Sequence, residues 1–237
     1  MMHGVCLILC SDWISTFTSF TIAESSKVGG STLKDSINQE RRRLFFGLMA
    51  LPVSGLTAVA NQTPSSTEGP FYPTSGMRYD DVDNDLVKIA GEVEQAGGEV
   101  VILSGRVLDN TGNPIVGARV EIWQCDVKGR YLHRGDAGWN SRDRAFQGFG
   151  HDLSRVDGGY SFRTIKPVPY AGRTPHIHVK VLVENHQRLT TQFYLPDHPG
   201  NKKDWLYQHV PQAKRELVTM NFIATEQVPR ADLDIVI

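Results

Sequence analysis

The clearest pattern along the chain is an alternation of period two. Over Ala118–Gln124, Val120 and Ile122 fall on one side and Arg119 and Glu121 on the other, as in a strand with one buried face. Glu121 is accordingly read as a solvated strand residue. Glu99–Leu108 is dense in β-branched and apolar residues, and Asp109-Asn110-Thr111-Gly112-Asn113-Pro114 closes it with turn formers. Asp157-Gly158-Gly159 turns the chain into a strand at Tyr160–Arg163, and a further strand is predicted over His176–Val183. Leu217–Ile223 and Asp232–Ile237 complete the set, and only Lys202–His209 has helical character. Thr67–Pro73 carries two prolines and a glycine and cannot be a helix. Short strands parted by turn signals predict an all-β fold, a β-sandwich of mostly antiparallel strands.

Before this pattern begins, the chain reads differently. Arg41-Arg42-Arg43 precedes a short apolar run and then Ala58-Val59-Ala60, the order of an export signal with a small-residue cleavage site. The paired arginines followed by Leu44-Phe45-Phe46 have the form of a twin-arginine signal. A general secretory signal with a basic start is the other reading. The apolar run is too short and too broken by glycine and proline to span a membrane. The expectation is a leader over residues 1–60, cleaved after Ala60, and a single exported domain over residues 61–237 without a stable membrane span. Forty residues before the basic cluster are unusual, and we expect the true translation start to lie downstream of Met1.

The formal net charge is −1 and the pI about 6.7, so no basic excess attracts nucleic acid. Two of the three cysteines, Cys6 and Cys10, fall in the leader. Cys125 is then left without a disulfide partner and reads as a small buried hydrophobe.

His176-Ile177-His178 opens a predicted strand. Residues two apart share a face, so one metal ion could take both imidazoles, while Ile177, Val179, Val181 and Val183 face the core. The alternative is that both histidines face solvent with Lys180. Tyr170 stands six residues earlier, on a loop stiffened by Pro167, Pro169 and Pro175. Tyr131 follows Lys128-Gly129-Arg130 after the strand ending in Trp123-Gln124. His133 is close to Tyr131, whereas His151, His186, His198 and His209 fall in loop-like stretches and read as surface histidines. Trp123, Tyr160 and Phe162 read as packing aromatics.

Val-Glu-Ile-Trp-Gln at 120–124, Gly-Arg-Tyr at 129–131, Tyr-Ser-Phe-Arg-Thr-Ile-Lys-Pro at 160–167, Pro-Tyr at 169–170, Arg-x-x-His-Ile-His at 173–178 and Thr-Gln-Phe-Tyr at 191–194 together resemble the intradiol ring-cleavage dioxygenases. The likeness runs over roughly residues 65 to 237 and is nearest to the protocatechuate 3,4-dioxygenase subunits and their small single-domain cousins. It implies a β-sandwich with long active-site loops and a non-haem Fe(III) held by Tyr131, Tyr170, His176 and His178. Tyr170 and His178 would be axial, with Tyr170 leaving the iron when substrate binds. It further implies that Arg173 and Gln192 face the substrate and steady charge developing on the ring. The substrate would be a catechol, cleaved with O2 between its hydroxylated carbons to a muconate-type diacid. Phenolate, a hard anionic donor, suits Fe(III), whereas oxygen-activating Fe(II) sites use two histidines and a carboxylate. The sequence departs from the protocatechuate enzymes between Tyr170 and Arg173, where only Ala171-Gly172 stands in place of a longer loop. That leaves the identity of the catechol open. Assembly into a homo-oligomer is a further expectation. Two other readings compete: a non-catalytic exported β-sandwich binding module, and a zinc or copper enzyme built on the two histidines alone.

Overall fold

The computed structural model describes residues 61–237; the leader predicted over residues 1–60 lies outside them. Two four-stranded sheets carry the fold. In the first, β1 (Val100–Leu108) is central. It pairs antiparallel with β4 (Gly159–Ile165) and parallel with β7 (Arg230–Asp232) and β8 (Ile235–Val236). The second sheet runs in the order β3 (Phe149–Leu153), β2 (Arg119–Trp123), β5 (His176–Val183), β6 (His186–Tyr194), with every pair antiparallel. The expected all-β sandwich is what forms.

The core lies where the facing strands bring their β-branched and aromatic residues together. Leu103 and Phe162, cross-strand partners in the first sheet, are fully buried with Val120, Ile122, Ile177, Val179, Val181 and Phe193 from the second. Burial of such side chains, at roughly 25 cal/mol per Å² of apolar surface, is the main stabilising contribution. Within the first sheet, the Tyr160 hydroxyl of β4 donates to the carbonyl of Leu233, between β7 and β8, at 2.6 Å. The start of the described chain is anchored to its last strand: Thr63 N–H donates to Val236 O at 3.1 Å, and Val236 N–H to Thr63 Oγ1 at 2.9 Å.

Three expectations are corrected. Leu217–Ile223 is not a strand; a 3-10 helix over Gln212–Val218 leads into irregular chain that buries Val218 and Met220 in the core but pairs with the sheets only by isolated bridges, Tyr194 to Thr219 and Ile223 to Arg230. His151 and His186 lie in strands, in β3 and at the start of β6. Glu121 is not solvated but 3% exposed. The reason is a strap, residues 63–79, that crosses the outer face of the second sheet. Ser66 N–H donates to Thr190 O at 2.8 Å and Thr191 Oγ1 to Pro64 O at 2.6 Å. The strap's Tyr72 hydroxyl donates to Glu121 Oε2 at 2.7 Å, while Arg119 Nε holds Oε1 at 2.8 Å. Lys180, 6% exposed, pairs with Glu68 and lies 3.5 Å from the Tyr72 ring centroid. The buried carboxylate and ammonium are thus each matched by an opposite charge, as burial requires. Among the described residues, no helix is long and apolar enough to cross a membrane.

Candidate metal centre

Alternation in β5 places His176 and His178 on the face opposite Ile177 and Val179, beneath the strap. Both are buried, not solvent-facing. Strand register then lines up their neighbours: Trp123 of β2 and Gln192 of β6 flank His178, and Tyr194 flanks His176. The Trp123 indole stacks on the His178 ring with centroids 4.7 Å apart and planes 9° apart. On the other side the strap passes so close that a Cβ built at Gly69 would stand 3.3 Å from His178 Cε1.

Tyr131 arrives from the loop after β2, and two buried carboxylates shape that loop. Asp126 Oδ1 accepts the N–H groups of Lys128 (2.8 Å) and Arg130 (2.9 Å), and its Oδ2 accepts that of Asp143. Asp136 Oδ2 accepts the Tyr131 N–H at 2.9 Å and its Oδ1 that of Gly138 at 2.7 Å. Tyr170 and Arg173 are the corners of a tight turn. Arg173 N–H donates to Tyr170 O at 2.7 Å, and Ala171 and Gly172 both have positive φ, 43° and 81°. That sign pair is the type I′ pattern. It sets the Tyr170 and Arg173 side chains side by side.

The donor atoms converge. His176 Nε2 lies 3.2 Å from His178 Nε2 and 3.4 Å from Tyr131 Oη. The Tyr170 ring centroid is 4.9 Å from that of Tyr131 and 5.8 Å from that of His176. His176 Nδ1 donates to the Thr174 carbonyl at 2.6 Å, which fixes the ring's tautomer and leaves Nε2 with a free lone pair. Burial, then the Arg173 charge, lowers the His176 pKa to about 4; the Thr174 carbonyl works against that shift. Burial, then His176 and Arg173, holds His178 well below its ordinary range. Both rings are therefore neutral at pH 7 and free to ligate.

The His176 Nε2 lone pair thus faces two groups at 3.2 and 3.4 Å, which can meet it only by donating a proton or by sharing a cation with it. Donors sharing one ion at about 2.1 Å are separated by about 3.0–3.4 Å for tetrahedral to octahedral angles, so the spacing fits a metal. Among the described residues no three of His, Cys, Asp and Glu gather into a metal-binding group. The donors that join the two histidines are phenols. Burial pushes the Tyr131 phenol well above its ordinary range and also raises Tyr170. A phenolate forms here only if a cation compensates it, which is the effect of metal coordination on a ligand proton.

Arg173 and Gln192 meet at the edge of this group. Arg173 Nη2 donates to Gln192 Oε1 at 2.7 Å, Gln192 Nε2 to Thr67 O at 3.1 Å, and Tyr194 Oη to Gln192 Oε1 at 3.1 Å. An open cleft of about 280 Å³ runs past Tyr170, Gly172, Arg173, His198 and Lys203. The short Ala171-Gly172 connection leaves it uncovered. All six residues singled out from sequence, Tyr131, Tyr170, Arg173, His176, His178 and Gln192, are thus gathered in one region. Sequence reasoning missed the carboxylates Asp126, Asp136 and Asp204 and the strap residues Phe71 and Tyr72. The Phe71 ring packs 5.1 Å from Tyr131 and 6.0 Å from Tyr170. Asp126 two residues before Lys128-Gly129 and Asp204 directly before a helical segment are the turn and N-cap signals that could have revealed two of them.

The chain is also similar to known proteins in sequence and in fold. A family model described as Dioxygenase matches residues 67–235. The protocatechuate 3,4-dioxygenase beta chain of Burkholderia cepacia is 36% identical over 149 residues, 60% of this chain and 63% of that protein. Catechol 1,2-dioxygenase of Acinetobacter baylyi is 28% identical over 178 residues, 63% of this chain and 51% of that one. The chain therefore matches less than two thirds of the length of these relatives. The dioxygenase domain of a dioxygenase carbohydrate-binding protein fusion from Streptomyces sp. SirexAA-E superposes with a TM-score of 0.57 at 29% identity, covering 75% of this chain and 98% of that one. An intradiol ring-cleavage dioxygenase from Tetranychus urticae, 20% identical with a TM-score of 0.59, covers 75% of this chain and 94% of its own and shares the fold.

Proposed function

Because the chain belongs to the intradiol dioxygenase family, we propose that it cleaves a catechol with O2 between the two hydroxylated carbons. Its non-haem Fe(III) would be held by Tyr131, Tyr170, His176 and His178. The observation that carries this reading is the convergence of Tyr131 Oη and the two Nε2 atoms at 3.2 and 3.4 Å, with His176 locked in the ligating tautomer. When bound, ferric iron supplies a Lewis acid that organises the two catechol oxygens.

The protein's own groups do the rest. Tyr170, at the cleft and partly exposed, would be a phenolate only while it helps hold the ion, and its Oη could then take one of the two protons a catechol gives up, the other passing to solvent through the open cleft. Arg173, fixed against Gln192, presents positive charge where negative charge develops on the ring, a preorganised electrostatic contribution. Phe71, Trp123 and Tyr72 wall off the far side and keep water from it. Both atoms of O2 end in the two carboxyl groups as the carbon–carbon bond between them breaks, so no further reductant is consumed.

The test is iron analysis with a visible spectrum, taken before and after catechol is added without O2. About one iron per chain, a tyrosinate charge-transfer band and its shift to longer wavelength with catechol are expected. Tyr131→Phe and Tyr170→Phe should each weaken that band. A colourless protein that ignores catechol sinks the reading and leaves a binding module. Residues 1–60 remain proposed as an export leader; N-terminal sequencing of the exported protein should begin at Asn61. Assembly into a homo-oligomer is proposed with it, and light scattering decides it.

A further inference from the structure

The Asp204 carboxylate has no part in the chemistry above, yet its side chain is 0% exposed and both oxygens are engaged. Oδ2 accepts from Arg173 Nε at 2.7 Å and from the Thr174 N–H at 2.9 Å. Oδ1 accepts the Tyr207 N–H at 3.0 Å and so caps the short helix α1 (Trp205–His209). Thr174 is the residue whose carbonyl receives the His176 Nδ1 proton. Its hydroxyl donates to Asn201 Oδ1 at 2.6 Å, on the same loop as Asp204.

We propose that Asp204 is a positioning residue that sets two groups of the site at once: the Arg173 guanidinium directly, and the His176 imidazole through Thr174. The proposal rests on the function given above for what those groups do. Arginine presents its donors in a rigid planar fork, so two anchored nitrogens define the plane of the charge. Here Nε is anchored on Asp204 and Nη2 on Gln192. Without the carboxylate the cation would be unpaired at low exposure and the Thr174 N–H would lose its acceptor, which the buried chain can relieve only by shifting. A shift of Thr174 moves the carbonyl that selects the His176 tautomer.

The two duties fall on different oxygens, which makes them separable. Asparagine caps helices as well as aspartate does. Asp204→Asn can keep its amide oxygen on Tyr207 N–H, but then turns an NH2 toward Arg173 Nε and Thr174 N–H, donor against donor. Helix capping should survive this substitution and positioning should not.

The experiment compares wild type, Asp204→Asn, Arg173→Gln and the double variant, each at matched iron content, with kcat and KM measured separately on catechol. In parallel, 15N NMR reads the His176 tautomer in the metal-free proteins. If Asp204 positions Arg173, Asp204→Asn lowers kcat by about 100-fold, the scale of a misplacement of about 1 Å. KM should change far less, and the substitution should cost clearly less in the Arg173→Gln background than in wild type, the part that acts through His176 remaining, because residues acting as a unit are not additive. The Nδ1–H tautomer should dominate in wild type and Arg173→Gln and be lost in Asp204→Asn. Unchanged kcat per iron together with an unchanged tautomer, or additive losses, would overturn the proposal and leave Asp204 a helix cap. A wild type that neither binds iron nor responds to catechol would sink the dioxygenase reading instead, and the tautomer comparison then decides the role of Asp204 alone.

Discussion

Single residues at the site bear conformations their side chains do not favour. Ala171 has φ of 43°, in the left-handed region, where a Cβ costs about 1–2 kcal/mol. The turn keeps that conformation because Tyr170 and Arg173 must emerge together. Ala171→Gly should therefore raise stability by up to about 1 kcal/mol in urea unfolding, while Ala171→Val should lower it. A glycine variant less stable than wild type would show that the turn is not strained at this residue. That His176 and His178 share a face was legible at this scale because period-two alternation in His176–Val183 is a local property. The tautomer of His176 was not, since it is set by a carbonyl whose position is fixed from residue 204.

At the scale of the element, turns and straps decide what the strands present. The connection between β1 and β2 is built on Asp109. Its carboxylate accepts the Thr111 hydroxyl at 2.6 Å and the backbone N–H groups of Asn113 (2.9 Å) and Thr111 (2.8 Å). The Thr111 hydroxyl, then the Asn113 N–H, bring its pKa down to about 2. The folded value is below the unfolded one of about 3.9, so the stabilisation is full above that and lost as pH falls through about 2. Asp109→Asn should flatten the dependence of Tm on pH between about 4 and 2; an unaltered profile would place that acid sensitivity elsewhere. The β1, β2, β4 and β5 segments followed from local alternation and turn residues. Leu217–Ile223 misled because its Val218 and Met220 are buried in the core from irregular chain that meets the edge strand β6 at a single bridge. Glu121 misled because the chain that buries it is Tyr72, which no window around residue 121 contains.

Across the whole molecule, the first sheet depends on an approach between backbones with no room for a side chain. A Cβ at Gly105 would stand 2.0 Å from the Leu233 carbonyl oxygen, which also receives the Tyr160 hydroxyl. Gly105→Ala must push the segment carrying β7 and β8 off β1. It should cost about 3 kcal/mol or more, in the range of severe packing defects, or prevent folding, and denaturant titration measures it. A loss below about 1 kcal/mol would mean the segment yields easily. The tie between Thr63 and Val236 has a further consequence, one of timing. Thr63 and Val236 are far apart in sequence, and pairings between residues so separated form late. Until that pairing forms, the strap lacks one of its anchors and His176 and His178 lack its full cover. Closure over the two histidines is therefore a late step of folding, the one in which Gly69 comes to lie against His178.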